Sequence, residues 1–338
     1  MKPPLTASTS FQSHARAQRK DSGSGGGRAT FVYRHPLLCL CLLLLVEDVL
    51  WLGWLYYSES QCDCPEMAEV KHELQPHMQQ QQQQREVVRK QIWQRTQIQD
   101  YLYASKKTMP LGSVIPFFEG RNKSTYYMIP DVYNFLPEEV LWPDTLYESC
   151  SVVGNGGILL NSSCGPDIDS SQYVLSLFDF KKEKMITDFI EYLKQYDTSE
   201  GTKLWTHMFH YDSKAKLVLR AIMIVRAMGA KSQIVSSHPV FLRAVNDFWK
   251  ENGLTSERAS SGLVFTTIAL AMCKQTHLYG YWPFPVDYDG QEVPYHYYLY
   301  DYQHTQNNTF HKLPEEFKLL QKLHKKGVIK MHIGRCKQ

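Results

Sequence analysis

The pattern of apolar and polar residues divides the chain into four stretches. Residues 1–35 are rich in Ser, Gly and Thr, which predicts a disordered tail. Residues 36–57 are almost continuously apolar and long enough to cross a bilayer as a helix. Residues 58–84 are polar, end in a run of glutamines and are interpreted as a stem. In residues 85–338 apolar residues recur at helical and strand periods, which predicts one folded domain.

Within residues 85–338 the spacing predicts helices that alternate with short apolar strands. Apolar residues three to five apart between Val87 and Leu102 predict a first helix, with a coiled-coil stem as the alternative. Further helices are predicted over residues 186–196, 215–228 and 240–250. This alternation predicts an α/β fold, in which helices cover both faces of a parallel sheet.

Charges on either side of the apolar stretch orient it. Glu47 and Asp48 near its middle cost about 2.5–3.5 kcal/mol each, and about a dozen apolar residues offset that cost. Six Lys and Arg residues and one acidic residue precede the stretch, whereas five acidic residues and one Lys follow within sixteen positions. The positive-inside rule then predicts a single-pass type II anchor with residues 58–338 in the lumen. A cleaved signal peptide is the alternative and fits less well, because the apolar run begins late.

Net charge and cysteine spacing limit the partners and the redox compartment that can be expected for this chain. A net charge of +3 without a basic stripe gives no reason to expect nucleic acid. Widely spaced cysteines with no C-x-x-C pair favour disulfides over a zinc site. Cys62 and Cys64 are too close to bond each other comfortably and are interpreted as a link between two chains, a homodimer. Asn122 and Asn307 begin sequons and are candidate glycosylation sites, whereas the sequon at Asn161 lies inside a motif and is not expected to carry a glycan.

Residues 150–165 hold the first candidate binding motif. A predicted strand at residues 151–153 runs into Gly154-Asn155-Gly156-Gly157, and apolar residues 158–160 open a predicted helix. The glycines allow positive φ and close approach of the backbone to a ligand, and the N–H groups of a helix start attract anions. This order is typical of a nucleotide-binding α/β sheet. The spacing matches neither G-x-G-x-x-G nor a P-loop, so a plain tight turn is the alternative.

Two further stretches carry candidate chemistry. Ser260-Ser261-Gly262 precedes an apolar helix, and its hydroxyl and N–H groups could hold a carboxylate or phosphate, with a plain helix cap as the alternative. A histidine such as His296 or His311 can accept a proton near neutral pH, with a structural role as the alternative. Asp287-Tyr-Asp289 and Asp167-Ile-Asp169 could instead each form a metal-binding D-x-D pair; a turn is the preferred interpretation of the first.

Taken in order, these blocks resemble the four sialylmotifs of the α-2,8-sialyltransferases. Cys150-x-Val-Val-Gly-Asn-Gly-Gly-Ile-Leu with Ser-x-Cys-Gly and Ile-Asp resembles the large motif, and Ser260-Ser-Gly the small one, with Ser261 in place of a threonine. Tyr295-His-Tyr-Tyr resembles motif III, and His311-x-x-x-x-Glu the very small motif. The resemblance covers residues 85–338. It is nearest the oligo- and polysialylating branch, but residues 137–148 are acidic where polymerising members are basic, so no polymerase activity is expected.

The resemblance implies a fold, a reaction and a set of site residues. The fold is a Rossmann-like parallel sheet, a variant of the GT-A type. The reaction is an inverting, metal-independent transfer from CMP-sialic acid, the donor substrate, to a sialylated glycoprotein or glycolipid, with no separate cofactor, in the Golgi membrane. The implied catalytic base is His311, and the implied donor contacts are Asn155, Gly156, Ser260, Ser261, Gly262, Trp282 and His296. The implied disulfides are Cys150–Cys273 and Cys164–Cys336.

The chain also departs from the family pattern. After Val174 the family has Arg-Cys-Asn, an Asp-Val-Gly segment and Asn-Pro-Ser; here the chain runs directly into residues 175–183, as though a few tens of residues were skipped. The missing Asn contacts the donor in relatives, and the missing strand belongs to the central sheet. Leu299 also stands where motif III has a carboxylate. The alternative hypothesis is therefore a catalytically impaired form, or a non-catalytic glycan-binding or partner protein on the same fold.

Overall fold

The computed structural model describes residues 65–119, 124–176, 189–191, 193, 194, 197, 203–297, 301, 302 and 311–336. The predicted tail, the predicted anchor at residues 36–57, Cys62, Cys64 and both candidate glycosylation sites, Asn122 and Asn307, lie outside these residues. Most of the helix predicted over residues 186–196 does so as well. Within the part of the chain that is described, no helix combines the length and the apolar character that spanning a membrane requires. The description below concerns residues 79–338, which form one compact unit.

Eight α-helices are found among the described residues of the chain. In chain order they are α1 (Pro65–Thr96), α2 (Ile98–Tyr101), α3 (Pro130–Tyr133), α4 (Gly165–Asp169), α5 (Asp212–Ala227), α6 (Pro239–Glu251), α7 (Ser261–Met272) and α8 (Leu313–Lys325). The helices predicted over residues 215–228 and 240–250 are confirmed as α5 and α6. In α6 the cap is explicit, because His238 Nδ1 accepts a hydrogen bond of 3.1 Å from Val240 N and Pro239 starts the helix.

The described strands are short and mostly parallel. They are β1 (Val114–Pro116), β2 (Thr125–Tyr127), β3 (Tyr147–Val153), β4 (Tyr173–Ser176), β5 (Lys203–Thr206), β6 (Gln233–Ser236), β7 (Cys273–Tyr279) and β8 (Lys330–His332). β4, β3, β7 and β8 form a parallel sheet in that order, and β5 and β6 form a separate parallel pair. β1 and β2 pair antiparallel. The parallel α/β architecture agrees with the prediction; helical cover on both faces of the sheet stays a prediction.

The two parallel sheets do not join within the described residues, and this is a departure from one continuous sheet. β4 pairs with β3 through Cys150 opposite Tyr173, and β4 has no described neighbour on its other side. Tyr173 of β4 and Lys203 of β5 line one cavity of about 1010 Å³, together with Gln233 of β6. This cavity adjoins the segment after Val174, where the family resemblance implies that the chain is shorter.

The core is organised around α7, which is apolar on all sides and buried from Leu263 to Met272. Helix α1 anchors the end of α7: Arg89 donates to the Cys273 carbonyl at 2.6 Å, and the Trp93 indole donates to the Ala271 carbonyl at 3.3 Å. Ile92 of α1 is fully buried in the same core. The residues from 85 onward thus belong to the folded unit, which favours the first-helix interpretation over a coiled-coil stem.

Both disulfides that the family resemblance implies are present. Cys150 of β3 is bonded to Cys273 at the start of β7, with 5.9 Å between their Cα atoms. Cys164 is bonded to Cys336, with 4.9 Å between their Cα atoms, and each bond closes a loop of more than a hundred residues. In the chain-entropy model a loop of that length stabilises the fold by about 5 kcal/mol. The first bond fixes the register of the two strands that lead to the candidate site.

Candidate active site

The site begins where β3 and β7 end side by side. Both strands are parallel, so the turns that follow them meet at one edge of the sheet, the usual position of a ligand site in such folds. Gly154 N donates to the Tyr279 carbonyl at 2.8 Å, and Gly156 N donates to the Gly280 carbonyl at 3.0 Å. The glycine turn after β3 is thus hydrogen-bonded to the turn after β7.

The glycines are required by backbone contacts within the protein. A Cβ atom at Gly156 would lie 2.4 Å from the Gly280 carbonyl oxygen, and one at Gly157 only 1.8 Å from the Pro294 carbonyl oxygen. Gly154, Gly156 and Gly157 do not use the positive φ that glycine allows; among the described residues here it is Gly280 that adopts it, with φ +74°. The sequence indicates that glycine is needed in this turn, but it does not show that the group approaching the glycines is the protein's own backbone.

No α-helix follows the glycine turn. Residues Gly157–Leu159 form a single 3₁₀ turn, and Leu160 returns to extended backbone. The predicted helix from residue 158 is therefore wrong, and the turn does not supply the N–H groups of a helix start. The Asn155 carbonyl instead accepts a bond of 3.1 Å from Tyr297 N, and Gly156 forms a β-bridge with His296. These contacts bring the third motif against the first.

The start of α7 forms the opposite wall. Ser260 caps the helix, with its Oγ accepting from Leu263 N at 3.2 Å. Glu316 of α8 accepts from Ser260 N at 2.9 Å and is also hydrogen-bonded to Ser260 Oγ. Because the Ser260 hydroxyl is engaged on both sides, Ser261 and Gly262 are the residues of this trio best placed to meet a ligand.

Glu316 is buried, and burial raises its pKa to about 7, although the two bonds from Ser260 oppose the shift. Its neighbour in the wall, Tyr281, donates its hydroxyl to the Gly262 carbonyl at 2.9 Å, and burial also raises the pKa of that phenol. Glu316 thus holds the α7 start against α8, and Tyr281 holds it against the turn after β7. Neither residue could be given this role from the sequence, because only the fold shows what they contact.

These walls enclose a cavity of about 170 Å³, called here the donor cavity. All seven residues that the resemblance implies as donor contacts line it. Its described lining is Val153, Gly154, Asn155, Gly156, Ser260, Ser261, Gly262, Phe265, Gly280, Tyr281, Trp282, Pro283, Tyr295, His296, Leu313, Glu316, Phe317 and Leu320. His311 is not in this lining. The residues of four separate motifs thus meet around one space.

His296 at the mouth of this cavity is oriented by a carboxylate. Asp301 Oδ2 lies 2.6 Å from His296 Nδ1, and Asp301 Oδ1 accepts from His296 N at 2.9 Å. A carboxylate on Nδ1 fixes the proton there and leaves Nε2 as an acceptor or as a donor after protonation. Asp301 thus brings a carboxylate to His296 two residues beyond position 299, where the resemblance implies one. The sequence signal for this contact is an Asp a few residues after His296, and a search at one fixed motif spacing does not find it.

His311 lines a second cavity of about 210 Å³, called here the histidine cavity. Its described lining also includes His207, His210, Lys214, Asn246 and Arg258. Ser261 lines both cavities, so the histidine cavity and the donor cavity adjoin at this residue. Burial lowers the pKa of His311 to about 4, and the nearby Arg258 charge adds to the effect, so its ring is neutral near pH 7.

Next to His311, three charged or titratable side chains from separate loops meet. His210 Nε2 lies 2.8 Å from Glu119 Oε1 and 3.0 Å from Arg258 Nη1, and Arg258 also forms an ion pair with Glu119. Asn246 secures the Arg258 loop by accepting from Ala259 N at 2.9 Å. The sequence gives no signal for this cluster, because its members are 91 and 48 residues apart along the chain and belong to no motif.

The described part of the chain contains no cluster of three or more His, Cys, Asp or Glu residues suited to a metal ion. Asp287 Oδ1 accepts from Asp289 N at 2.9 Å and from Gln291 N at 2.8 Å. This Asp-x-Asp pair therefore builds a turn, as its sequence favours.

The chain matches the family model "Glycosyltransferase family 29 (sialyltransferase)" over residues 91–177 and 176–328. The chain belongs to glycosyltransferase family 29. The two matched segments overlap at residues 176 and 177, close to Val174, after which the sequence was expected to depart from the family pattern.

Several curated relatives of this family 29 chain are α-2,8-sialyltransferases. The "Alpha-N-acetylneuraminide alpha-2,8-sialyltransferase" of Xenopus tropicalis is 30% identical over 270 residues, which cover 69% of this chain and 74% of the relative. "Alpha-2,8-sialyltransferase 8E" of Rattus norvegicus is 25% identical over 266 residues, covering 70% and 69%. Among solved structures, "Crystal Structure of a Mammalian Sialyltransferase" aligns with a TM-score of 0.37 and 22% identity, covering 56% of this chain and 70% of that one.

Proposed function

We propose that this chain transfers sialic acid from CMP-sialic acid to a hydroxyl of a sialylated glycan, forming an α-2,8 linkage with inversion and without a metal. The observation that carries the proposal is the convergence of the large, small and third motifs on the donor cavity, with His311 across Ser261. The names of the relatives support the linkage and the sialylated acceptor.

In this proposal the donor cavity holds the activated sugar. Asn155 and Gly156 contact the nucleotide, and Trp282 lines its far side. The backbone N–H groups and the hydroxyl at Ser261 and Gly262 hold the sialic carboxylate, because a helix start attracts anions. His296, held by Asp301 at 2.6 Å, donates to the phosphate and stabilises the negative charge as the nucleotide leaves.

His311 is the proposed catalytic base. A neutral imidazole can accept the proton of the attacking hydroxyl while that oxygen forms its bond to the anomeric carbon. The bond between that carbon and the phosphate oxygen breaks on the opposite face, and CMP carries away the electron pair. Because the phosphate monoester is a good leaving group by itself, the proposed step needs no metal to assist departure.

The proposed setting is the Golgi membrane, with residues 36–57 as a single-pass type II anchor and the catalytic domain in the lumen. The family supports this location, and the two disulfides are consistent with an oxidising compartment. Dimerisation through Cys62 or Cys64 and glycans on Asn122 and Asn307 remain parts of the same proposal.

A second candidate function is non-catalytic glycan binding on the same fold. The observation in its favour is the shortened chain after Val174, where the family match is interrupted and β4 lacks a described neighbour. A protein of this kind would retain a sugar cavity without the donor contact that the missing Asn provides in relatives.

Two measurements separate the candidates. Calorimetric titration of the full chain with CMP tests the donor cavity, and release of CMP from CMP-sialic acid with 3′-sialyllactose as acceptor tests transfer. We expect CMP binding, EDTA-insensitive transfer, and loss of transfer in His311→Ala with CMP binding retained. His324→Ala is the matched control, because His324 lies in neither cavity lining. Binding of CMP without any transfer by the wild type would support the non-catalytic candidate, and absence of both would overturn the proposal.

A further inference from the structure

The histidine cavity differs from the donor cavity in its charge. Its described lining includes two cationic side chains, Lys214 and Arg258, and no acidic one. The neighbouring rings of His210 and His311 each have a pKa lowered to about 4, mainly by burial, so both are neutral near pH 7. A cavity with this lining favours an anionic ligand over a neutral or cationic one.

Arg258 is the cation in this cavity with the geometry to recognise a carboxylate. The planar guanidinium offers five N–H donors that match the two oxygens of a carboxylate, and burial strengthens such a bond because water competes less. Arg258 already forms an ion pair with one carboxylate, that of Glu119, and one of its nitrogens lies 3.0 Å from His210 Nε2. The site is therefore built to hold this group.

The location of Arg258 ties the cavity to the reaction. His311 is hydrogen-bonded to the backbone of Arg258, so the two residues occupy fixed relative positions. A sugar whose carboxylate lies on Arg258 would present its hydroxyls beside His311. Ser261 separates that sugar from the donor cavity, and both cavities share Ser261 as a wall. An acceptor and a donor could thus occupy the two cavities at the same time.

We propose that Arg258 binds the carboxylate of the acceptor's terminal sialic acid in the histidine cavity, and that Glu119 competes for Arg258 when the cavity is empty. This inference rests on the proposed function, since it identifies what recognises the sialylated acceptor. Glu119 is a competitor because its carboxylate occupies the guanidinium of Arg258. Arg258 is thus a specificity-determining residue.

The test compares two probes that differ only at the carboxylate. The full chain, saturated with CMP, is titrated with 3′-sialyllactose and with its carboxamide, in which an amide replaces the sialic carboxylate. We expect the wild type to prefer the acid by about 10- to 100-fold in Kd, the usual range for a charge-assisted bond. In Arg258→Gln the preference falls to about 2-fold or less, and in Arg258→Lys it is partly restored.

Two more variants keep the test decisive. Glu119→Gln removes the competing carboxylate without touching Arg258, and we expect it to bind the acid several-fold more tightly than the wild type does. Arg243→Gln is the matched control. Arg243 donates to the carbonyl of Phe117, two residues before Glu119, at 3.5 Å, but it does not line the histidine cavity. This variant should therefore keep the wild-type preference for the acid. CMP binding by each variant verifies its fold.

The outcomes distinguish this inference from the proposed function. An unchanged preference in Arg258→Gln, an equal loss for both probes in that variant, or a wild type that binds both probes equally overturns the inference. A chain that prefers the acid through Arg258 but releases no CMP from the donor contradicts the proposed transfer and leaves the inference standing. Weaker binding of the acid by Glu119→Gln would show that Glu119 positions Arg258 and does not compete with the ligand.

Discussion

The carboxyl group of Glu316 gives the sharpest prediction about stability. Burial raises its pKa from 4.5 in the unfolded chain to about 7 in the folded one. A raised pKa means that the folded state holds the proton more tightly, so its contribution to stability is fully present below pH 4.5 and is lost as the pH rises to about 7. At about 1.4 kcal/mol per pH unit, the loss across this window amounts to about 3 kcal/mol.

Replacement by glutamine removes the titration and keeps the shape. The amide oxygen of Glu316→Gln can accept from Ser260 N, and its NH₂ group can donate to Ser260 Oγ, so both native bonds have a substitute. We expect wild type and variant to have similar free energies of unfolding at pH 4.5. By pH 7 the variant should be the more stable of the two, by up to about 3 kcal/mol.

Urea denaturation, followed by tryptophan fluorescence at intervals between pH 4.5 and 7.5, measures the difference in free energy of unfolding between wild type and variant. The contributions of other titrating groups cancel in this difference. Glu315→Gln is the control, because it removes the same charge one residue earlier. The Thr255 hydroxyl holds the pKa of Glu315 below its usual value of 4.5, so its contribution to stability is lost only as the pH falls below about 4.5. The difference for this control should therefore stay nearly constant over most of the measured range. A pH-independent difference for Glu316→Gln would refute the reasoning, because it would mean that the buried carboxyl titrates as in the unfolded chain.

Three further predictions follow from the site. Gly157→Ala should prevent folding, because its Cβ would lie 1.8 Å from the Pro294 carbonyl oxygen. Gly165→Ala should fold, because a Cβ there has nothing within 4 Å. Circular dichroism measures the secondary structure of each variant, and titration of free thiols shows whether its disulfides have formed. Asp301→Asn should weaken CMP binding about tenfold in calorimetry by loosening His296, and an unchanged Kd would contradict that role. Transfer should lose activity only below about pH 5, because His311 has a pKa of about 4 and stops acting as a base once it is protonated. An acid limb near pH 6.5 in the pH–rate profile would contradict a His311 base with this lowered pKa.

Much of the parallel fold could be predicted from the spacing of apolar residues. The helices predicted over residues 215–228 and 240–250 are present because their apolar positions recur at a helical period, and that period decides which face is buried. The helix expected after Gly157 is absent, although residues 158–160 are apolar. A run of three apolar residues has no period of its own, so the contacts with the β7 turn determine its conformation.

The candidate site shows the same difference between residues in local motifs and residues brought together by folding. The residue types of the donor cavity could be read from short motifs, because each motif is local in sequence. The clusters that depend on distant residues could not: Glu119, His210 and Arg258 come together only after folding, and Asp301 stands at a spacing that the motif does not include. Local patterns therefore predicted the residues that line the donor cavity, whereas the proposed acceptor recognition depends on long-range packing.

The shortened segment after Val174 bears on activity through its position. The edge strand β4 is separated from the donor cavity by β3, and the Cys150–Cys273 bond joins β3 to β7 independently of β4. The close backbone contacts at Gly156 and Gly157, the Glu316–Ser260 bonds and the Asp301–His296 pair all lie on the other side of β3 or beyond it. A deletion confined to the β4 edge would therefore leave intact the contacts that shape the donor cavity. The histidine cavity is more exposed to such a change, because Thr206, His207 and His210 line it and lie at the end of β5 or just after it, beyond the shortened segment. The expected cost of the deletion is the donor contact and the sheet pairing of the absent strand, which would reduce donor affinity and stability.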